Sequence, residues 1–254
     1  VENVKKILLC GCNGKMGRVI RSCVDARQDC EIVAGVDLTE DSLASFPVFQ
    51  NIADCSMKPD VIIDFSHPSL LSGILDFAQK NTTPVVLATT GYSAEQIEQI
   101  KNATSKIAVF FTFNMSIGVN LLTELAKKAT AVLGGQFDIE IIEKHHNQKI
   151  DAPSGTAIML ANAINEAAGN TYQYVYDRHA VVKKREANEI GIYSVRGGTI
   201  VGEHEVIFAG RDEILSLKHT AMSKEIFAVG AVNAAVYLSE QSAGLYDMRN
   251  MLSD

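Results

Sequence analysis

Two histidines, a lysine and an aspartate fall within seven residues of this chain, at His145, His146, Lys149 and Asp151, and Pro153-Ser154-Gly155-Thr156 follows at once. Histidine gains and loses its proton near neutrality, whereas lysine stays cationic unless it is desolvated. Pro153 stops regular structure, and Ser154 is placed to cap a helix that continues through Ala157-Ile158-Met159-Leu160-Ala161. Gly155 lets backbone come close to a ligand, and Thr156 adds a hydroxyl. A helix N-terminus offers free N–H groups and the positive end of its dipole, so an anion fits there. The run therefore predicts an acidic substrate held beside an acid catalyst. A metal is not expected. Neighbouring residues of extended chain face opposite ways, so His145 and His146 cannot readily chelate one ion, and no His-x-x-x-His or Cys-x-x-Cys assists them.

Something must hold these groups. Ile139, Ile141 and Ile142 form a short β-branched run after Gly134-Gly135 and predict a strand leading into the histidines. At the other end of the chain, Val4 to Cys10 reads as a buried parallel strand. Gly11-Cys12-Asn13-Gly14-Lys15-Met16-Gly17 comes next, and Arg18 to Val24 continues as a helix. Strand, glycine-rich turn and helix is the setting of a dinucleotide fingerprint, here spaced Gly-x-x-Gly-x-x-Gly with Asn13 in the middle. The next strand, Glu31 to Val36, ends at Asp37, twenty residues after Gly17, where a carboxylate meets ribose hydroxyls. Strand and helix keep alternating: Asp60–Phe65, Pro68–Lys80, Pro84–Ala88, Ala94–Asn102 and Lys106–Phe111. Such units predict a doubly wound parallel sheet with ligands at the carboxyl ends of its strands, where Ser66, Thr89, Thr90 and Asn114 lie.

From about Ile117 the pattern changes. A long helix, Val119 to Leu133, precedes the histidine run, and the polar stretch from Asn170 to Asn188 reads by itself as a solvated loop. Three strand-like runs follow, Glu189–Arg196, Glu203–Phe208 and Glu213–Lys218, with Gly197-Gly198 and Gly210-Arg211-Asp212 as turns. They predict a hairpin-rich antiparallel sheet. Apolar side chains on both faces of the first run suggest that a second subunit covers one face. Ser223 starts an apolar helix, and the tail returns to the first domain. The expected fold is α/β: a Rossmann-like doubly wound parallel sheet domain, residues 1–116 and 227–254, plus a second α+β domain with a mixed or antiparallel sheet, residues 117–226.

The totals exclude several classes. A formal net charge of −7 leaves no basic surplus for a general nucleic-acid binder. No apolar run approaches the ~18 residues of a membrane helix, and no signal-peptide core is apparent, so a cytoplasmic location is expected. The five cysteines all fall between Cys10 and Cys55, an odd number that suits reduced thiols better than a disulfide framework. A semialdehyde reductase would want a nucleophilic cysteine deep in the chain, and none follows Cys55. A non-catalytic dinucleotide-binding regulator would keep the glycines and Asp37 but would not need His145 or Lys149.

The run through Glu143, His145, His146, Lys149 and Asp151-Ala152-Pro153-Ser154-Gly155-Thr156-Ala157 closely resembles the signature of the dihydrodipicolinate reductase (4-hydroxy-tetrahydrodipicolinate reductase) family. Agreement extends to the glycine turn, Asp37, Thr89-Thr90-Gly91, Asn114 to Gly118, Val201-Gly202-Glu203-His204 and the tail. One departure is visible. Arg178 and Arg185 keep the family's arginine spacing, but Ala180 and Lys183 stand where glycines are often seen.

The resemblance implies reduction of a cyclic, unsaturated imine dicarboxylate by NADH or NADPH in lysine and diaminopimelate biosynthesis, and a homotetramer packed through the second-domain sheet. It places the coenzyme on Gly11, Cys12, Asn13, Gly14, Lys15, Met16 and Asp37, on Ala88, Thr89 and Thr90, and on Thr112, Phe113, Asn114 and Met115. Substrate carboxylates fall to His146, Lys149, Ser154, Gly155 and Thr156. His145 is taken as the acid that protonates the electron-rich product of hydride addition, and Lys149 as electrostatic partner or second donor. Asp37 followed by Leu38, rather than by an arginine, points to NADH as preferred coenzyme with NADPH usable, Lys15 offsetting part of the repulsion.

Overall fold

The computed structural model describes residues 4–39, 45–112, 114–180 and 182–253. The chain divides into two compact units, Val1–Ser116 with Glu225–Asp254, and Ile117–Lys224.

The first unit opens with β1 (Lys5–Cys10), α1 (Lys15–Asp25), β2 (Cys30–Val36), the two-residue β3 (Val48–Phe49) and β4 (Val61–Asp64). It continues through α2 (Leu71–Asn81), β5 (Val85–Leu87), α3 (Ala94–Ala103) and β6 (Ala108–Phe111). β4 and β5 are buried along their whole length. That is the expected state of a parallel strand covered by helices on both faces, and it explains why these runs show no polar alternation. α3 starts cleanly because Ser93 and Gln96 form a reciprocal capping box.

The second unit runs α4 (Ile117–Leu133), β7 (Asp138–His145), α5 (Gly155–Ala167), β8 (Gln173–Val175), β9 (Glu189–Arg196), β10 (Gly202–Ala209) and β11 (Ile214–Ala221). The chain then returns to the first unit as α6 (Glu225–Leu238), β12 (Gly244–Tyr246) and α7 (Met248–Ser253).

In the first unit seven parallel strands lie in the order β12-β6-β5-β4-β1-β2-β3. The order reverses at β1, flanked by β2 on one side and β4 on the other, so a crevice opens at its carboxyl end. That is where Gly11 begins the glycine turn. The core combines Leu8, Ile62, Val85, Leu87 and Val109 from the strands with Leu71, Ile74 and Ile100 from the helices.

The sheet of the second unit differs from the expected row of hairpins. Its order is β11-β10-β7-β9-β8. Only β10 and β11 are joined as a hairpin. β7 separates β9 from β10, running parallel to β9 and antiparallel to β10, and β8 adds parallel to β9. β7 takes the centre, with Ile139 and Ile141 buried in the core that the helices cover. α4 and α5 cover one face, with Leu122, Ala126, Leu160 and Ile164 against Ile139, Ile141, Ile190, Ile192, Val206 and Phe208. Each of these large side chains is worth ~1.5–3 kcal/mol when buried.

The stretch between β8 and β9 is held down rather than solvated throughout. Arg178 donates to Glu189 at 2.7 Å, to Glu140 at 2.8 Å and to the Tyr193 hydroxyl at 2.6 Å. Arg185 donates to Asp138 at 2.7 Å and to Glu140 at 2.9 Å. Both arginines thus grip the sheet face opposite the helices. These bonds tie the stretch to the sheet.

Candidate active site

The first unit carries a nucleotide-type cradle. Gly11 has φ +78°, and a Cβ there would lie 2.5 Å from the Phe65 carbonyl oxygen. A Cβ on Gly17 would run into the Gly11 carbonyl and the Cys12 backbone. The turn therefore closes only on glycine at both places. Asn13 fixes its far side, donating its N–H to Asp37 Oδ2 at 2.9 Å and its side-chain amide to the Thr39 carbonyl. Asp37 thus stands at the end of β2 beside the turn. α1 begins without a side-chain cap, which leaves its first N–H groups to a ligand. Gly14 and Lys15 are exposed and Met16 half-buried. The Cys12 side chain is fully buried, so this residue offers a ligand only its backbone.

The strand ends on either side complete the rim. Ala88 donates to the Asp64 carbonyl at 3.0 Å, and Thr90 is exposed. Thr89 is buried, with its hydroxyl set against Asp64 and Tyr92. After β6, the Asn114 N–H meets Thr112 Oγ1 at 3.4 Å and Ser116 N–H donates to Asn114 Oδ1 at 2.8 Å, while the Met115 side chain is buried. Phe113 lies outside the described residues. Glycine cradle, uncapped helix and acidic strand end together fit a dinucleotide.

The second unit holds the ionisable cluster, and β7 builds it. Its residues alternate, so Ile139, Ile141, Glu143 and His145 share the buried face while Glu140, Ile142 and Lys144 take the other. The apolar half of that face enters the core and the polar half ends it. Glu143, with no exposed surface, accepts paired bonds of 2.8 and 2.7 Å from Arg196, one of 2.6 Å involving His145 Nδ1, and one of 3.0 Å from the Ser154 N–H. Burial alone would raise this carboxyl, but bonds from Arg196, Ser194, His145 and the Ser154 N–H outweigh it and hold the pKa at about 2.

An ionised carboxylate only accepts, so Nδ1 of His145 must carry a proton toward Glu143. The opposite nitrogen, Nε2, is then the one free to pass a proton. It lies beside Gly202, where an added Cβ would approach to 3.1 Å. The rings of His145 and His204 meet edge to face with centroids 5.2 Å apart.

His204 Nε2 is 2.9 Å from Ser154 Oγ, and that oxygen also accepts the Ala157 N–H at 3.2 Å. Ser154 is therefore the N-cap of α5 while its own N–H is spent on Glu143. Burial, followed by the neighbouring His145, pulls His204 down to a pKa of about 4, so it is neutral at physiological pH. Gly155 is exposed with nothing near its Cβ position, which keeps the start of α5 open, and Thr156 follows half-buried. Lys149 pairs with Asp151 at 2.8 Å, and His146 is half-buried on the turn between them and β7. Among the described residues no group of three or more His, Cys, Asp or Glu could hold a metal ion.

The structure sets Asn13 beside Asp37 and joins His145 to Ser154 through Glu143. It adds three residues that sequence reasoning did not single out for a role: Glu143, Arg196 and His204. The alternation of β7 could have nominated Glu143, two residues before His145 on the same face. Arg196 could not be found that way, because its pairing depends on β9 lying parallel to β7.

Comparison with known proteins agrees with this geometry. Residues 5–115 match the family model for the N-terminus of dihydrodipicolinate reductase, and residues 118–252 match the model for its C-terminus. The 4-hydroxy-tetrahydrodipicolinate reductase of Clostridium novyi is 48% identical over 247 residues, covering 97% of this chain and 98% of that one. The enzyme of the same name from Caldanaerobacter subterraneus subsp. tengcongensis is 46% identical over 247 residues, with the same coverage of each. Among solved structures, dipicolinate-bound dihydrodipicolinate reductase from Paenisporosarcina sp. TG-14 superposes with a TM-score of 0.83 at 27% identity, over 98% of this chain and all of that one. A diaminopimelate dehydrogenase from C. glutamicum, at 14% identity and a TM-score of 0.55 over 97% and 93% of the two chains, shares the fold alone. By family model across nearly its whole length, and by relatives of close to half identity, the chain belongs to the dihydrodipicolinate reductase family.

Proposed function

We propose that the second unit binds the cyclic dicarboxylate and protonates it, and that the first unit binds the coenzyme. The chain is an NAD(P)H-dependent 4-hydroxy-tetrahydrodipicolinate reductase, an oxidoreductase. The observation that carries the division of labour is the cluster at the end of β7, where an acid, its orienting carboxylate and an open helix start are bound together. The relative from Paenisporosarcina was solved with dipicolinate, a planar dicarboxylate, which supports the same ligand class here.

Loss of the 4-hydroxyl as water leaves a conjugated imine ring, and the coenzyme, when bound, would supply hydride to it. The added electron pair leaves an enamine carbon that must take a proton, and His145 Nε2 gives it while Nδ1 stays bonded to Glu143. Glu143 holds the ring in that tautomer and balances its charge, and Arg196 balances Glu143. Lys149 and His146, with the amides of Gly155 and Thr156 and the Thr156 hydroxyl, bind the carboxylates.

Three finer points belong to this reading. NADH is preferred over NADPH, because Asp37 stands beside the turn and exposed Leu38 brings no cation. The enzyme is a cytoplasmic homotetramer, its subunits packed through the sheet face that carries Ile142, Tyr193 and Ile207. It acts on no nucleic acid. Turnover assayed with 4-hydroxy-tetrahydrodipicolinate, generated in situ, and each coenzyme tests the whole. Absence of coenzyme oxidation would overturn it, and light scattering that returns a monomer at micromolar concentration would remove the tetramer.

A further inference from the structure

Asp64 closes β4 with no exposed surface, yet it is a carboxylate at the centre of a parallel sheet. Its Oδ1 accepts from both the N–H and the hydroxyl of Ser66, and its Oδ2 accepts from the Tyr92 hydroxyl at 3.0 Å. Its main chain is equally occupied. The Asp64 carbonyl takes the Ala88 N–H at 3.0 Å, and the next residue, Phe65, donates to the Cys10 carbonyl at 3.1 Å. Burial pushes the Asp64 carboxyl upward against the pull of Ser66, Thr89 and Tyr92, so the group is costly to keep and needs all of its donors.

The donors come from different loops. Ser66 belongs to the loop after β4, whose Phe65 carbonyl is the wall against which Gly11 turns. Tyr92 belongs to the loop after β5, which also carries Ala88, Thr89 and Thr90. The Tyr92 ring meets Phe111, the last residue of β6, edge to face at 6.0 Å. Thr112 follows directly. The glycine turn and the three loops after β4, β5 and β6 therefore converge on one buried carboxylate and one tyrosine.

We propose that Tyr92 is a positioning residue for coenzyme binding: through Asp64 and Phe111 it ties these loops into a single rim, and it sets coenzyme affinity without touching the coenzyme. This rests on the reading of the first unit as the coenzyme unit. A rim whose parts are already fixed loses less conformational freedom when a ligand binds. Removing the tyrosine hydroxyl frees the loop after β5 and also leaves Asp64 Oδ2 buried without that donor.

The test uses Tyr92→Phe, which keeps the ring against Phe111 and deletes only the hydroxyl, and Tyr92→Ala, which deletes both. NADH binding is measured by fluorescence enhancement, and kinetics are followed with each substrate varied in turn. Tyr92→Phe raises the NADH Kd and KM by about 3- to 10-fold, the size of one net hydrogen bond. Tyr92→Ala raises them further, and the KM of the dicarboxylate changes in neither. A folded Tyr92→Phe protein with a lowered Tm but wild-type NADH Kd makes the tie purely structural and overturns the inference. Equal loss of affinity in both variants also overturns it, by removing the Phe111 contact from the account. Wild-type protein that binds no NADH would instead defeat the coenzyme reading itself.

Discussion

Nδ1 of His145 lies 2.6 Å from Oε2 of Glu143, and the carboxylate of Glu143 is in turn clamped by both terminal nitrogens of Arg196. The acid is thus the outer member of a three-part chain whose inner two members cancel each other's charge. Glu143→Gln keeps the shape but removes the anion, so either the amide nitrogen faces the ring or the tautomer is no longer dictated. Turnover should fall by about 10²–10³. Stability should fall as well, by about 1–3 kcal/mol, because Arg196 loses its buried partner. Steady-state kinetics and a urea melt on the same preparation check both, and a folded variant with wild-type kcat would remove Glu143 from the mechanism.

Lys149 makes a different prediction, since its side chain is one-fifth exposed and paired with Asp151 at 2.8 Å. It is a cation held by Asp151 on the turn that follows β7. Lys149→Met should lower turnover by roughly 10²–10⁴ while leaving the NADH Kd within error, because the glycine turn belongs to the other unit. A shift in NADH affinity comparable to the loss in turnover would contradict the division between units.

The pH dependence of stability should carry the mark of His204. Its folded pKa, about 4, lies below the ordinary 6.5, so between those values the unfolded chain binds the extra proton. Its contribution is complete above pH 6.5 and is lost as pH falls toward 4, a span of about 2–4 kcal/mol. Glu143 acts in the next window, from its ordinary 4.5 down to about 2. His204→Gln, which can still reach Ser154, should flatten the urea midpoint between pH 6.5 and 4 and leave the drop below 4.5 in place. An unchanged slope in the upper window would mean that another group is responsible.

Coenzyme choice is tested at Leu38, which is 78% exposed beside Asp37. A 2′-phosphate approaching that carboxylate meets a repulsion of roughly 1–4 kcal/mol at ~4 Å. Leu38→Arg should raise kcat/KM for NADPH by about tenfold and leave NADH little changed. If wild type already favours NADPH tenfold, Asp37 does not read the ribose as proposed.

How much of this was legible beforehand depends on whether the information was local. β1 and the glycine turn are written in consecutive residues, Asp37 closes the very next strand, and the fold honours that order. Ser154 as a cap is equally local. The second sheet was read less well because strand order is a long-range property. Glu189–Arg196 and Glu203–Phe208 are neighbours in sequence, yet β7 enters between them. The same intrusion brings Arg196 to Glu143 and His204 to Ser154, so the supporting half of the site was hidden together with the topology. Arg178 and Arg185 were visible as charges, but their partners Glu140 and Glu189 lie on other strands.

Gly230 has one further consequence. A Cβ there would collide with the Met115 carbonyl, so α6 lies directly on the last turn of chain before the second unit begins. The parallel sheet is thus assembled from two stretches separated by the 108 residues of Ile117–Lys224. During synthesis the inserted unit emerges whole before its host has α6 or β12. The apolar flank of β4, β5 and β6 must wait uncovered until the chain returns, which makes those strands the segment that a chaperone would guard.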